Sequence, residues 1–355
     1  MNKRIDVIDG WRTIAALGVL YGHVLGTLNI PSVQNIDIIR ILNLWGNGVQ
    51  LFFVISGFCF FLVMDKQKDY SFTASLSFWK KRWLRIAPAF YTACLVYAYI
   101  NYTGIQGHVI TALTANFLFI QTYVPGTEIS AHFWSLSVEW LFYLSLPLIF
   151  YFIRRKGYLI VIAGMFTIGL FLNLLHYKWG LYNGFDWYYT FFANFEHFAC
   201  GLLAGYLYKT GKLSLGIFDK AYGIVIGFAI AYIGKIFFYS FFVKRMGQWG
   251  FVFESIGPLV MTLGFAWMIL VSLRNELVFK LIGNKLFTFI GRISYSFYLW
   301  HVLLLGWIYS CTINLFPQNG IGILCLFTAT AVVLLPISYL SYKLLEEFYF
   351  KRSAK

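Results

Sequence analysis

Two stretches of this chain, Gly157–Leu175 and Gly320–Tyr342, contain no Asp, Glu, Lys or Arg. About 20 predominantly apolar residues match the roughly 30 Å hydrocarbon layer of a bilayer. Inside that layer every backbone N–H and C=O must find its partner within the segment, so such runs are read as helices. The rest of the chain agrees. It is 60% hydrophobic and 12% charged, with mean hydropathy +0.70, whereas soluble domains carry roughly 25% charged residues. Most of this polypeptide cannot face water.

Further apolar runs bring the reading to about ten transmembrane helices, at 11–30, 46–65, 84–103, 133–153, 157–175, 189–208, 221–242, 253–272, 293–314 and 320–343. The segment 107–123 is shorter and Thr-rich, and is expected to be interfacial or re-entrant. Trp45, Trp83, Trp187 and Trp249 stand near the ends of runs, where amphipathic rings form interfacial belts. The expected fold is an all-α polytopic membrane protein forming one domain over 1–355, with no internal repeat and no appended soluble domain. The basic N-terminus lacks a small-residue cleavage site after its apolar run, so no cleaved signal peptide is expected.

The formal charge of +14 would point to nucleic acid in a soluble protein. Here the cations sit in short loops. One group is Lys66, Lys68, Lys80, Lys81 and Arg82; then come Arg154, Arg155 and Lys156, and then Lys209, Lys212 and Lys220. Arg274, Lys280 and Lys285 follow, and Lys351, Arg352 and Lys355 close the chain. Loops 104–132 and 315–319 have neither Lys nor Arg. The alternation follows the positive-inside rule, excludes nucleic acid as the expected partner and places both termini in the cytoplasm. Lys244 and Arg245 fall on the opposite side, and Lys235 is expected to snorkel near the outer end of its run. The five cysteines, an odd number without a C-x-x-C pair, read as small apolar side chains.

Ionisable residues inside spans are costly and therefore mark candidate sites. Arg12 and His23 are eleven residues apart in the first run. Helical geometry returns them to within about 20° of one face, about 16 Å apart along the axis. His23 is a candidate proton acceptor for a hydroxyl; the alternative is a histidine that only bridges helices. Arg82 and Arg85 share a helix face at the expected start of the third run, and guanidinium forks suit phosphate oxygens; the alternative is plain charge topology. Glu139, seven residues after His132, is expected to share its face at a depth within reach of His23; the alternative is a carboxylate facing a water-filled vestibule. Arg292 is expected beside the other arginines, with His301 about 13 Å further along the axis. Glu196 and His197 form a further polar pair. Neither a His-Glu-x-x-His metal motif nor a Gly-x-Ser-x-Gly elbow occurs in the sequence.

Four motifs in order resemble the membrane-bound acyltransferase-3 family, the O-acetyltransferases of surface polysaccharides. They are Arg12 with His23, Arg82-x-x-Arg85-Ile-x-Pro88, Trp134-Ser-Leu-x-x-Glu139, and Ile293-Ser-Tyr-Ser-x-Tyr-Leu-Trp-His301. The segment from Ser338 through Glu346 and Glu347 is similar to the family's closing segment. The resemblance implies transfer of an acyl group, usually acetyl, from acyl-CoA to a sugar hydroxyl at the cell membrane, without a metal. It implies that His23, Glu139 and Arg12 are catalytic and that Arg82, Arg85 and Arg292 hold the CoA. It leaves Trp134, Ser137, Glu196 and His301 for the glycan or lipid-linked sugar acceptor. His23 would act as general base or as a nucleophile forming an acyl-imidazole. Many family members have an Arg just before the Phe-Glu of the sixth span; Ala193 and Asn194 stand there here, so acceptor contacts are expected to differ. Many also carry a C-terminal esterase-like domain, and none is expected here. The competing class is a transporter or flippase for a lipid-linked sugar, which would also bury ionisable groups in a helical bundle.

Overall fold

The structure, a computed structural model, describes residues 5–28, 43–67, 69–100, 108–180, 186–211, 216, 220–238, 243, 245–313, 315–317 and 319–348. Lys68, Lys212, Lys244, Lys351, Arg352 and Lys355 lie outside the described residues. Among those described the chain is helical, with no strand.

In chain order the helices are α1 (Asp6–Thr27), α2 (Gly48–Met64), α3 (Phe72–Ile100), α4 (Val109–Phe117), α5 (Trp134–Lys156), α6 (Tyr158–Trp179) and α7 (Phe195–Thr210). They continue with α8 (Gly223–Phe238), α9 (Gly250–Arg274), α10 (Glu276–Ile282), α11 (Lys285–Arg292), α12 (Ser294–Thr312) and α13 (Gly320–Ser341). Each of the expected runs overlaps one of the long helices. Six of these, with their adjoining turns, are long and apolar enough to cross a membrane: Leu44–Met64, Phe72–Ile100, Ala131–Lys156, Tyr158–Trp179, Gly247–Arg274 and Gly320–Glu347. The segment expected to be interfacial contains the short α4 and a tight turn at Gln121–Tyr123.

The largest boundary difference is in α3. It begins at Phe72 and runs 29 residues, so Lys80, Lys81 and Arg82 are helical rather than in a loop. Hydropathy finds only the apolar part of a helix; the charged turns before Arg85 continue the same hydrogen-bonded ladder. Lys235, expected to snorkel, donates its ammonium to the Asn47 side chain.

Two glycines bring helices close enough to assemble the site. A Cβ on Gly201 of α7 would lie 2.1 Å from the Val54 carbonyl oxygen of α2, and one on Gly57 would lie 2.4 Å from that of Phe198. Small residues at such crossings let two backbones touch. A Cβ on Gly291 would lie 1.9 Å from the Asp9 carbonyl oxygen, so Gly291 seats the end of α11 on α1 and carries Arg292 toward Arg12. Aromatic hydroxyls then tie α3 to α12. Tyr97 donates to the Leu299 carbonyl at 3.0 Å and accepts from the Leu303 amide at 2.9 Å, while Tyr295 donates to the Ile86 carbonyl at 2.8 Å. In a lipid-facing bundle such bonds contribute about 0.6 kcal/mol each; here they fix the register of the two helices that carry Arg85 and His301.

Candidate active site

A cavity of about 190 Å³ opens between α1, α2, α3, α5, α11 and α12. At the ~10–15 Å³ that each water needs, it has room for on the order of a dozen waters. Arg12, Arg82, Arg85, Glu139 and Arg292 all line it. Residues 280 positions apart in sequence thus face one space.

The charges are not equivalent. Arg12 Nη1 is 2.7 Å from the buried Asp9 carboxylate, and its Nη2 donates to Cys59 Sγ at 3.6 Å, so its charge is largely matched. Arg82, Arg85 and Arg292 have no ion pair with any described residue. The Arg82 guanidinium lies 5.0 Å from the Phe60 ring centroid and 5.5 Å from that of Phe78. Those rings hold it by cation–π attraction without neutralising it, and its buried Nε has no hydrogen-bond partner. Glu139 accepts from Ser56 Oγ at 2.9 Å and from the Tyr143 hydroxyl, both on Oε1. Its second oxygen leaves a carboxylate in view of the arginines.

The inner wall is shared with a second polar cluster. Ser135 and Tyr298 line the cavity. The Tyr298 hydroxyl meets Ser135 Oγ at 2.8 Å and donates to the His132 carbonyl at 2.6 Å. Behind it stand three imidazoles. His301 has its ring centroid 5.0 Å from that of His23 and 4.9 Å from that of His132. His23 is exposed, whereas His301 and His132 are buried.

This arrangement corrects several expectations. Glu139 contacts Ser56 and Tyr143 in the arginine cavity, and the ring partner of His23 is His301. His132 and Glu139 do not share a helix face, because His132 lies in the turn Ala131–Phe133 before α5 and turns toward α12. Glu196 and His197 diverge: Glu196 Oε2 accepts from Asn173 of α6 at 3.2 Å, and His197 reaches Thr262 of α9 at 3.4 Å. Trp134 lies between Phe53, Tyr188 and Tyr189, and Ser137 is buried with its hydroxyl unpartnered among the described residues. Trp134, Ser137 and Glu196 are outside the cavity lining, and so are His23 and His301. Sequence reading missed Ser56, Cys59, Tyr143 and Tyr298. Tyr298 lies within the Ile293–His301 motif and Tyr143 one turn after Glu139, whereas Ser56 and Cys59 are in no motif and carried no signal beyond their apolar run.

The candidate site is thus a group of guanidiniums at one internal cavity of a helical membrane bundle, with imidazoles behind Tyr298. The acyltransferase-3 family model, described as an acyltransferase domain, matches residues 5–343, and the chain belongs to that family. A relative from Staphylococcus aureus (strain COL) is 25% identical over 338 residues, covering 87% of this chain and 52% of its own length. The O-acetyltransferase OatA of Staphylococcus aureus (strain NCTC 8325 / PS 47) is 24% identical over 324 residues, 83% of this chain and 49% of its own length. Acyltransferase MdmB of Streptomyces mycarofaciens is 29% identical over 162 residues, 43% of this chain and 41% of its own. The chain spans about half the length of the curated relatives it matches. No solved structure shows significant similarity to it.

Proposed function

We propose that this protein is a membrane O-acyltransferase that moves an acyl group, acetyl in the simplest case, from acyl-CoA to a hydroxyl of a cell-surface or lipid-linked glycan. The observation that carries the reading is the convergence of three guanidiniums without carboxylate partners, Arg82, Arg85 and Arg292, on one cavity. Glu139 and Glu346 line the same cavity without an ion pair to these arginines, so cationic charge is in excess there. Excess charge is expensive in a bundle of apolar helices, and the phosphates of CoA would supply further anionic partners in the bidentate geometry that Arg favours. Ten helices crossing the cell membrane with both termini in the cytoplasm would open this cavity to the cytosolic donor, in keeping with the cation-rich loops on that side.

In this reading Arg82, Arg85 and Arg292 bind the donor phosphates. Arg12, locked by Asp9, fixes the floor of the donor site. His23 takes the proton of the acceptor hydroxyl as its oxygen attacks the thioester carbonyl, and later returns it to the departing CoA thiolate. Glu139 supplies a negative charge near the donor headgroup and sets how tightly the anion is held.

The test is CoA binding and acyl transfer by detergent-purified protein. Wild type should bind CoA, with affinity falling as salt rises. His23→Ala should bind CoA as well as wild type does, yet transfer roughly 10²–10⁴-fold more slowly, the range attributable to a general base. A protein that binds no CoA, or a His23→Ala variant that transfers normally, would remove the reading.

A further inference from the structure

Of the three clustered histidines, His132 has both ring nitrogens in use. Its Nε2 faces the Leu299 carbonyl at 3.3 Å and its Nδ1 the Ser130 hydroxyl at 2.9 Å. A carbonyl only accepts, so Nε2 carries the hydrogen and Nδ1 accepts from the serine. His301 is satisfied on one side only. Its Nδ1 lies 2.5 Å from the Tyr298 carbonyl oxygen, so Nδ1 carries the hydrogen and the lone pair is on Nε2. That Nε2 is buried and has no partner among the described residues, although His301 is 1% exposed. A buried acceptor without a donor carries a cost.

Two rings lie close enough to serve it. The Nε2–H of His132 is committed to Leu299. The other ring is His23, its centroid 5.0 Å away at 62°, exposed and without a hydrogen bond from its own ring to a described residue. The two rings are in edge contact, and an N–H···N bond of ~3 Å between them requires a turn of the His23 ring.

We propose that His301 is the positioning residue of His23: its Nε2 accepts one N–H of the His23 ring and so leaves the other nitrogen of that ring as the base facing the acceptor hydroxyl. The proposal rests on the reading of His23 as the base. The proton balance is simple. The hydroxyl proton passes to the open nitrogen of His23 as the oxygen–carbonyl bond forms. The resulting imidazolium keeps its other N–H on His301. The carbon–sulfur bond breaks, and the proton goes to the CoA sulfur, leaving both histidines as they began. His301 plays the orienting part that a carboxylate plays in a Ser-His-Asp triad, with a neutral ring in place of a charge in the apolar bundle.

The experiment is a double-mutant cycle of acyl transfer with His23→Ala and His301→Phe in purified protein. Phe keeps the ring volume and deletes the acceptor. Alone, His301→Phe should lower kcat roughly 10²-fold with the donor KM within about twofold of wild type. In the His23→Ala background it should cost nothing further, because its effect passes through His23. Additive losses, a loss carried by KM, or an unchanged kcat would overturn the proposal. If His301→Phe does not accumulate in membranes, His301→Gln and His301→Asn decide. Gln puts its amide oxygen near the place of Nε2 and should keep activity within about tenfold of wild type; Asn reaches only the place of Nδ1 and should not. Equal activity of the two would overturn it. The two readings fail separately: normal transfer by His23→Ala removes the base itself, whereas an inactive His23→Ala beside a fully active His301→Phe removes only the positioning role.

Discussion

The cation-rich cluster at the end of α2 and the arginine cavity use the same kinds of residue to opposite ends. At the first, the Asp65 carboxylate is bonded to the Lys209 ammonium and the Tyr158 hydroxyl, while Arg154 Nη2 donates to the Asp65 carbonyl at 2.6 Å. One acidic residue thus joins α2, α5, α6 and α7. In the cavity three arginines converge and no described carboxylate pairs with them. Matched charge reads as a latch, and unmatched charge as a binding site awaiting its anion. The difference lies in the partners, since counting cations would rank the two clusters alike.

The comparison is most exposed at the arginines. In the proposed donor site Arg82→Ala/Arg85→Ala would remove two phosphate contacts, each worth about 1.5–3 kcal/mol for a charged hydrogen bond. The kcat/KM for the acyl-CoA donor should fall by roughly 10³-fold. Thermal stability should fall only slightly, through the lost cation–π contacts of Arg82 with Phe60 and Phe78, worth about 0.5–2 kcal/mol, because no ion pair with a described residue is lost. A variant that melts well below wild type while its folded fraction transfers normally would make this cluster a latch as well. Measuring both quantities on one preparation separates the cases.

Glu139 lies inside the arginine cavity. Glu139→Gln keeps an oxygen to accept from Ser56 and Tyr143 and removes the negative charge. A unit charge in a partly solvated site acts at about 1 kcal/mol or more over several ångströms, so CoA should bind several-fold more tightly. Titration of CoA into the variant checks this. Unchanged binding with a collapsed kcat would instead tie Glu139 to His23, as its place in the sequence suggested.

The contacts of Glu139 with Ser56 and Tyr143 were not legible in the sequence, for a physical reason. Hydropathy and motif spacing located the helices, because desolvation acts on each segment separately: the run at 320–343 became α13 (Gly320–Ser341) and the run at 46–65 became α2 (Gly48–Met64). The gathering of Arg12, Arg82, Arg85 and Arg292 was also legible, since each arginine sits within or beside an apolar run. The direction in which Glu139 points was not. It depends on which neighbours α5 meets, here Ser56 of α2, and that contact joins residues far apart in sequence. His301 was visible as a motif residue, but its unpaired nitrogen emerges only when the Tyr298 carbonyl and His23 are placed around it. The charged opening turns of α3 were missed because they contribute helix without contributing hydropathy.

The smallest expected effect tests the other half of the comparison. Burial alone would raise the Asp65 carboxyl, but the hydrogen bonds from Lys209 and Tyr158, with the charges of Lys209 and Arg154, outweigh it and hold the group below the usual carboxylate range. A carboxyl depressed in the folded state adds stability above its unfolded value, near ~3.9, and loses that contribution as pH falls through the lower folded value. The wild-type melting temperature should therefore drop on acidification below about pH 4 in part through Asp65. Asp65→Asn should melt lower at neutral pH, by on the order of a few °C, and lose that part of the acid dependence. Acyl transfer per folded molecule should match wild type, because Asp65 is outside the arginine cavity. A neutral-pH Asp65→Asn preparation with unchanged stability and impaired transfer would reverse the roles of the two clusters, making the matched charges the functional ones.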